Sequence, residues 1–323
     1  MVKIDIKDRK ILYQLDLNCR QSNAQIGKKV GLHRNKVHYR IKRLEDKGVI
    51  KGYWTAINTF KLGYEVFRIY ITFQDITSEI KNEIIHYFIN AKNMWTVLSF
   101  KGEIDFDVVL WVNDIHEFYN YWKKTLEKFG TYFSTSTISI VANVEAYKNT
   151  YLLPEEKFES EKKFYETASC KETIKIDKMD FNIIHELSIN ARIPLIELSE
   201  KLKCSSQAVQ YHIKKLIKKG IIQAFRVNID ISKLNLLKFL LSLFLKDHSQ
   251  RKDILKFVTE KVYVEYNIEC IGWSDMQFEI VVENIDHLMK LMEEISVQFP
   301  KAIRKQNFLI FEKIHKERWL PEL

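Results

Sequence analysis

The chain contains a long internal repeat, which constrains its fold more than any other feature of the sequence. Residues 4–50 align without gaps with residues 176–222, and 16 of these 47 positions are identical, where chance would give about two or three. The segments that follow the two copies also share a pattern, so the chain has the order A-B-A-B. The identical positions, in the numbering of the first copy, are Ile4, Asp5, Asp8, Ile11, Leu15, Asn18, Arg20, Lys29, Val37, Tyr39, Ile41, Lys42, Leu44, Lys47, Gly48 and Ile50.

Each A segment predicts three short helices and a strand. Ser22, with Gln25 three residues later, has the pattern of a capping box that starts the second helix, and Gly31 suits the end of that helix. The third helix is predicted from about residue 34 to 47, with a buried stripe of Val37, Ile41 and Leu44. Two helices joined by a short turn and followed by a strand predict a winged helix-turn-helix.

The face of the third helix opposite its buried stripe is the predicted DNA-binding surface. Its side chains are of the types that hydrogen-bond base edges or bind phosphates, whereas a merely solvated face would more often mix Glu with Lys. The second copy places similar residues on the same face. The candidate DNA-binding residues are Arg34, Asn35, Lys36, His38, Tyr39, Lys42, Arg43, Ser206, Gln207, Gln210, Tyr211, Lys214 and Lys215.

Positive charge is concentrated on the two A segments. The whole chain has 51 Lys and Arg against 42 Asp and Glu, a net charge of +9. Residues 28–53 carry nine basic and two acidic residues, and residues 200–226 carry seven basic and one acidic, so these segments have charges of +7 and +6. The rest of the chain is therefore negative, at −4. Such local basicity indicates binding to the DNA backbone.

Composition excludes several other classes of protein. The chain is 46% hydrophobic and 29% charged, which is typical of a globular protein rather than a disordered one. The longest apolar stretch, residues 234–245, is too short to span a membrane and predicts a buried strand. The N-terminal residues lack the pattern of a signal peptide, and the four cysteines are far apart. A soluble, cytoplasmic protein with reduced cysteines is expected.

Each B segment predicts a β-α-β-β-α-β order, the ferredoxin-like arrangement. The fold class is therefore α+β, with a winged helix-turn-helix followed by a ferredoxin-like domain, the pair present twice. The predicted boundaries are 1–60 and 61–150 for the first pair, 151–175 for a linker, and 176–230 and 231–323 for the second pair.

These motifs resemble those of the Lrp/AsnC (feast/famine) family of prokaryotic transcription regulators. The first copy has I-D-x-x-D at 4–8, N-x-R at 18–20, V-x-Y-R-I-x-x-L at 37–44 and G-V-I-x-G-Y at 48–53. The second copy has I-D-x-x-D at 176–180, N-A-R at 190–192 and G-I-I at 220–222.

The resemblance implies that each recognition helix enters a major groove of double-stranded DNA. It also implies that the B segments are ligand-sensing (RAM-type) domains whose sheets pack face to face, so self-association into a homo-oligomer is expected. A small effector such as an amino acid would bind near the G-x-x-D turns, whose candidate residues are Gly102, Asp105, Gly272 and Asp275. The alternative for these residues is structural: the glycines permit a hairpin turn and the aspartates cap it.

Departures from the family pattern make the two DNA-binding faces unequal. Family members usually carry one such unit per chain. The usual Ser cap of the recognition helix is His33 in the first copy, and its counterpart is Ser205. Ser22 and Arg40 of the first copy are replaced by Pro194 and His212 in the second. We therefore expect the DNA site to be an imperfect palindrome.

A sequence-specific DNA-binding transcription regulator is the function that the sequence favours. The sequence contains no common catalytic motif. We therefore predict no catalytic residues, no metal site, no cofactor and no enzymatic activity. The alternative is a siroheme decarboxylase-like enzyme, since subunits of that enzyme resemble the same A-B architecture. A ligand sensor that does not bind DNA would leave the concentrated positive charge unexplained.

Overall fold

A computed structural model describes residues 3–153, 163–170 and 172–322 of the chain. In this part of the chain no helix is long and apolar enough to cross a membrane. The stretch predicted as a buried strand, residues 234–245, contains a strand whose central residues are indeed buried.

The first A segment folds as three helices and a strand, and side-chain caps define where the helices start. Asp5 and Ser22 each form a capping box, with Asp8 and Gln25 respectively, at the starts of the first two helices. The predicted stripe of Val37, Ile41 and Leu44 is buried. The elements are α1 (Ile6–Leu17), α2 (Asn23–Val30), α3 (Arg34–Asp46) and β1 (Ile50–Ile57).

The first B segment has the predicted β-α-β-β-α-β order. Its elements are β2 (Glu65–Phe73), α4 (Ser78–Asn90), β3 (Met94–Lys101), β4 (Phe106–Val112), α5 (Ile115–Phe129) and β5 (Phe133–Tyr147). A further strand, β6 (Lys163–Ala168), lies in the segment predicted as a linker and pairs with β5. Residues 154–162 and 171 of that segment lie outside the described residues.

The second half of the chain repeats both domains. Its winged helix-turn-helix has α6 (Lys178–Ile189), α7 (Leu195–Lys201), α8 (Ser206–Lys218) and β7 (Ile222–Ile229). Its ferredoxin-like domain has β8 (Leu237–Leu245), α9 (Arg251–Lys261), β9 (Tyr263–Ile271), β10 (Met276–Val282), α10 (Ile285–Gln298) and β11 (Ile303–Glu317). The α+β fold class, with the two-domain unit present twice, is therefore confirmed.

The two winged helix-turn-helix domains pair with each other within the chain. Strand β1 is antiparallel to β7 of the other unit, with Trp54 opposite Arg226, and these two strands form a sheet of their own. The buried side chains of both domains make one continuous hydrophobic core. The two units therefore form a pseudo-dimer inside a single chain.

The two ferredoxin-like sheets join into a closed eight-stranded ring. Each half contributes four antiparallel strands, in the orders β5-β2-β4-β3 and β11-β8-β10-β9. The long strands β5 and β11 cross between the halves, because β5 also pairs with β9 and β11 with β3. Helices α4 and α5 bury one apolar core against the first half, and α9 and α10 bury another against the second.

Gly272 lies where the two halves of the ring meet, and its substitution by alanine should destabilise the fold. Its φ of 136° strains any residue with a Cβ, and an added Cβ would meet the Ile138 carbonyl oxygen and lie 2.9 Å from the Ser139 Cα. Because both contacts are to backbone, we expect Gly272→Ala to lower the free energy of unfolding by about 2–4 kcal/mol. The loss is measured by urea denaturation.

Gly130→Ala is the matched control for Gly272→Ala. A Cβ at Gly130 would have its nearest contact at 3.7 Å and no positive φ to oppose it. A change within about 0.5 kcal/mol is therefore expected for this variant. Equal stability of the two variants would contradict the close approach seen at Gly272.

Candidate nucleic-acid interface

The exposed faces of α3 and α8 present the same two residue types at equivalent positions. Tyr39 and Tyr211 are 67% and 66% exposed, which is unusual for residues that most proteins at least partly bury. Lys42 and Lys214 lie one helical turn further along and are also exposed. Each helix can therefore offer an aromatic and a cationic side chain to a ligand.

Most of the predicted DNA-binding residues lie on these exposed faces. Their side chains are those of Arg34, Asn35, Lys36, His38, Tyr39, Lys42, Gln207, Gln210, Tyr211 and Lys214. Ser206 is half-buried, and its Oγ lies 3.0 Å from the Ser199 Oγ. Lys42 also forms an exposed ion pair with Asp46, at 3.1 Å.

Arg43 and Lys215, two of the predicted DNA-binding residues, form ion pairs within their own units. Arg43 Nη2 lies 2.5 Å from the buried carboxylate of Asp8, and Lys215 Nζ lies 2.7 Å from that of Asp180. Each ion pair ties the recognition helix to the first helix of its own unit. In these positions the two side chains orient α3 and α8. The outward faces of the two helices are formed by the exposed residues named above.

The aspartates of the two I-D-x-x-D motifs thus have two roles, capping a helix and anchoring another. In the first unit, Arg40 Nη1 also bonds to Asp5 and Asp8 at 2.8 and 2.7 Å. In the second unit, His212 Nδ1 lies 2.6 Å from the Asp180 carboxylate. The backbone N–H of Asp180, followed by Lys215, lowers the pKa of Asp177 to about 2. The sequence showed His212 only as the replacement of Arg40, and this contact could not be predicted from it.

The starts of the two recognition helices differ, as the sequence predicts. The Ser205 hydroxyl accepts a hydrogen bond from the Ala208 N–H at 3.1 Å. The His33 Nδ1 accepts a longer one from the Asn35 N–H, at 3.4 Å. At Pro194 no side chain caps α7. The second recognition helix therefore has the better N-terminal cap.

A symmetric set of contacts fixes the two units relative to each other. Arg20 Nη1 donates to the carbonyls of Ala191 and Ile193 at 2.6 and 3.1 Å. Its counterpart Arg192 donates to Asn23 Oδ1 at 3.1 Å. The repeat had marked both arginines, as part of N-x-R, but the sequence analysis did not assign them a role.

The backbone repeats this symmetry. The Cys19 N–H donates to the Phe225 carbonyl at 2.9 Å, and the equivalent Ala191 N–H donates to the Tyr53 carbonyl at 3.1 Å. Together with the β1–β7 pairing, these bonds hold α3 and α8 in one fixed pair.

The G-x-x-D turns lie where the halves of the ring meet. Asp105 accepts a hydrogen bond from the Phe73 N–H at 2.8 Å, and Asp275 accepts one from the Leu245 N–H at 2.7 Å. Gly102 has a φ of 140°, and Gly272 has the positive φ given above. These contacts are the ones expected if the glycines only permit the turn and the aspartates cap it. The effector-binding role of the four residues stays a prediction.

Three potential metal ligands lie together in the second unit. One ligand atom from each of Asp177, Asp180 and His212 falls within 4.8 Å of the others. The Lys215 ammonium already bonds to both carboxylates, at 3.1 and 2.7 Å, and so supplies the positive charge. His212 is distant along the chain from both aspartates, so the sequence gives no sign of this group.

The comparisons with known proteins match the two winged helix-turn-helix segments. A family described as winged helix-turn-helix DNA-binding matches residues 4–51 and 176–223. LrpB, an HTH-type transcriptional regulator of Bacillus subtilis, is 28% identical over 122 residues, which are 38% of this chain and 82% of that protein. An uncharacterized HTH-type transcriptional regulator of Pyrococcus furiosus is 37% identical over 108 residues, which are 33% of this chain and 72% of that protein.

A solved structure matches the chain over nearly its full length. The crystal structure of the siroheme decarboxylase NirDL has a TM-score of 0.65 and covers 96% of this chain and 92% of its own, at 12% identity. At that identity the likeness shows the fold alone. The match overturns the prediction of no enzymatic activity, because NirDL, which shares this architecture over nearly the full length, is an enzyme.

The relatives, the family match and the paired winged helix-turn-helix domains agree with one another. The chain belongs to the Lrp/AsnC family of DNA-binding transcription regulators and carries the two-domain unit of that family twice.

Proposed function

We propose that one chain binds double-stranded DNA sequence-specifically, with α3 and α8 in the major grooves of two half-sites, and so regulates transcription. The observation that carries the proposal is the matched exposure of Tyr39 with Lys42 and of Tyr211 with Lys214 on two helices held as a fixed pair. Side chains of these types bind base edges and phosphates. A DNA partner implies a cytoplasmic protein.

The pairing within the chain changes what the DNA complex should contain. In a protein with one unit per chain, two chains supply two recognition helices; here a single chain supplies both. A small effector that binds between the ferredoxin-like domains, and further self-association through them, remain part of the proposal. Neither is needed to present two recognition helices to DNA.

Selection of bound DNA from a random pool, with the mass of the complex measured alongside, tests the proposal. The expected result is an imperfect palindrome, because the caps and flanking residues of α3 and α8 differ, and each palindrome should hold one 38.6 kDa chain or a whole number of such chains. Recovery of no sequence preference, or of half-sites with identical preferences, would count against the proposal.

The dependence of DNA binding on salt concentration should show whether Lys42 and Lys214 contact phosphates. Each Lys→Ala substitution that removes a phosphate contact should reduce the slope of log K against log salt by about one unit. We therefore expect Lys42→Ala with Lys214→Ala to reduce the slope by about two units. Lys290→Ala, an exposed lysine on α10, is the control and should leave the slope unchanged. Equal slopes for all the variants would exclude these lysines from the interface.

A second candidate function is decarboxylation of a siroheme-type tetrapyrrole. The whole-length match to NirDL favours it, and one NirDL structure is a co-complex with an iron-uroporphyrin III analogue. A polycarboxylate of that size needs a large pocket with several cationic side chains. A cavity of about 440 Å³ between β1, β7 and the ring has four basic residues in its walls, Lys51, Arg226, Lys238 and Lys313, together with four acidic ones, Asp230, Glu265, Glu312 and Glu317. Arg226 and Lys238 already form buried or half-buried ion pairs there.

Titration with iron-uroporphyrin III, followed by its visible absorption, separates the two functions. Specific DNA binding without a spectral change would support the regulator. Tight tetrapyrrole binding by a chain that shows no DNA preference would support the enzyme instead.

A further inference from the structure

A second, smaller cavity lies inside the ring, at the end next to the winged helix-turn-helix domains. Its volume is about 120 Å³, and its walls come from both halves of the ring and from β1 and β6. Trp54, Trp95, Trp111 and Trp319 are four of the chain's six tryptophans, and all four line it. These four residues are far apart along the chain, so the sequence alone does not bring them together.

The aromatic wall of this cavity belongs to the first half of the ring. Trp95 and Trp111 stack with their ring centroids 5.3 Å apart and their planes 7° apart. The Thr96 hydroxyl beside them is buried and has no hydrogen-bond partner among the described residues. Aromatic faces carry negative potential, so this wall attracts cations as well as apolar groups.

The opposite wall carries carboxylates. The positions equivalent to Trp95 and Val109 are Glu265 and Glu279 in the second half, and Lys238 replaces Val66. Lys238 Nζ lies 2.7 Å from Glu265 and 2.6 Å from Glu279, so one ammonium forms ion pairs with two carboxylates. The two halves of the ring therefore differ at these positions, where the first has apolar side chains and the second has charged ones.

Glu317 adds a further carboxylate to this end of the cavity. It accepts a hydrogen bond from Asn228 Nδ2 at 3.0 Å, and no ion pair of Glu317 is found within the part of the chain that the structure describes. Burial raises the pKa of its carboxyl and outweighs the opposite effect of the nearby Lys238 and Lys51.

A count of the charges in and around the ring shows the imbalance. Arg68 is paired with Asp107 at 2.6 Å, and Arg226 with Asp16 at 2.6 Å, so these two pairs are neutral. The remaining charged groups in the walls of the cavity are Lys238, Glu279 and Glu317. Glu265, which shares the Lys238 ammonium, and Lys51, which acts on Glu317, line the larger cavity outside. Inside the cavity, one cation therefore faces two carboxylates.

We infer that this cavity is a binding site for a small organic cation, namely an amine whose apolar body is about the size of one aromatic ring. An engineered apolar cavity of about 150 Å³ in another protein binds benzene, which sets the scale of the apolar body. The body would lie against Trp95 and Trp111, and the ammonium would lie at Glu279 and Glu317. A carboxylate on the ligand would be repelled by the same groups, so an amine should bind in preference to an amino acid.

The position of the cavity gives such a ligand a route to the DNA-binding domains. Trp54 on β1 stacks on Trp319 with centroids 3.5 Å apart, and both residues line this cavity and the larger one outside it. Asn228, which bonds Glu317, lies on β7. A ligand at Glu317 thus contacts the β1–β7 pair that fixes the two recognition helices. This regulatory consequence rests on the proposed function, whereas binding itself does not.

Four compounds with one aromatic ring test the inference. Benzylamine is the cation, benzyl alcohol is its neutral analogue, benzoate is the anion, and phenylalanine is the amino acid. Calorimetry and tryptophan fluorescence on the full chain at pH 7, without DNA, measure binding. We expect benzylamine to bind about tenfold more tightly than benzyl alcohol, and benzoate and phenylalanine to bind more weakly still.

Glu317→Gln keeps the shape of the side chain and removes its charge. It should abolish the preference for benzylamine over benzyl alcohol, while Glu127→Gln on the exposed face of α5 should retain it. Absence of benzylamine binding at millimolar concentrations, equal binding of the amine and the alcohol, or preferred binding of benzoate would each overturn the inference.

A second measurement separates this inference from the proposed function. Addition of benzylamine should change the affinity of the wild-type chain for its selected DNA, and the change should be lost in Glu317→Gln. If the amine binds but the chain has no DNA preference, the cation site stands and the proposed function fails. If DNA binds but the amine does not, the proposed function stands and the cation site fails.

Discussion

Arg226→Ala should lower the free energy of unfolding by about 3–5 kcal/mol, because it leaves the carboxylate of Asp16 buried without its cation. Arg226 and Asp16 are 2% and 0% exposed. Arg226 Nε and Nη2 both contact Asp16 Oδ1, at 2.8 and 2.6 Å. Asp16 also accepts a hydrogen bond from the Asn149 N–H at 2.9 Å. The pair therefore connects α1 of the first unit, β7 of the second, and the chain that follows the first half of the ring.

A double variant shows whether the loss comes from the unpaired charge. Asp16→Asn retains an oxygen for the Asn149 N–H, and Arg226→Met retains most of the apolar stem of the arginine. We expect the double variant to be more stable than Arg226→Ala by at least about 1 kcal/mol, since no buried charge remains. Lys123→Ala, which removes an exposed ion pair with Glu127, is the surface control and should change stability by less than about 1 kcal/mol. Equal losses in the single and double variants would mean that lost packing, not charge, is responsible.

The Asp16–Arg226 pair illustrates what the sequence could not predict. Hydrophobic periodicity and capping residues predicted the order of the elements in each unit and placed the third helix within about one residue of its observed bounds, because these signals are local. Asp16 and Arg226 are 210 residues apart, and the equivalent positions in the repeat hold Ser188 and Trp54. A repeat comparison treats such differences as divergence, and only the fold shows that two of them form one ion pair.

The sequence also could not show how the two units pair. An internal duplication is equally compatible with units that pair within one chain and units that pair between chains. Arg20 and Arg192 were visible as identical residues, but their partners Ala191, Ile193 and Asn23 contribute mainly backbone groups. Backbone carbonyls carry no sequence signal, so the contacts that close the pseudo-dimer could not be predicted.

The predicted DNA-binding face shows the same limit on a smaller scale. The 3.6-residue period correctly separated the exposed Tyr39 and Lys42 from the buried Val37. It could not show that Arg43 reaches Asp8, which is 35 residues earlier, because charge counting ignores partners in space. The charge of +7 on residues 28–53 therefore overstates the charge available to a ligand.

Removal of one recognition face should abolish protection of one half-site while the other half-site remains protected. We expect Tyr39→Ala with Lys42→Ala to lower the affinity for the selected DNA about 100-fold, since each lost base or phosphate contact is worth about 1–3 kcal/mol. Tyr211→Ala with Lys214→Ala should have an effect of similar size on the other half-site. Footprinting on the selected DNA, together with the affinity at one fixed salt concentration, measures both effects.

The matched control removes the same residue types from another helix. Tyr119 is 59% exposed on α5, and Lys123 lies one turn further along the same face. Tyr119→Ala with Lys123→Ala should leave both the footprint and the affinity unchanged. A loss as large as that of the recognition-helix variants would assign the DNA interface to the ring instead of the winged helix-turn-helix domains.

Mixing experiments then distinguish pairing within a chain from pairing between chains. If β1 pairs with β7 of the same chain, a chain altered on α3 always presents one intact and one altered face. Wild-type chains added to it cannot restore its lost half-site, so the two footprints should simply superimpose in proportion to concentration. Restoration of full affinity to a mixture of the α3 variant and the α8 variant, each of which binds poorly alone, would show instead that the two recognition helices on one DNA site come from different chains.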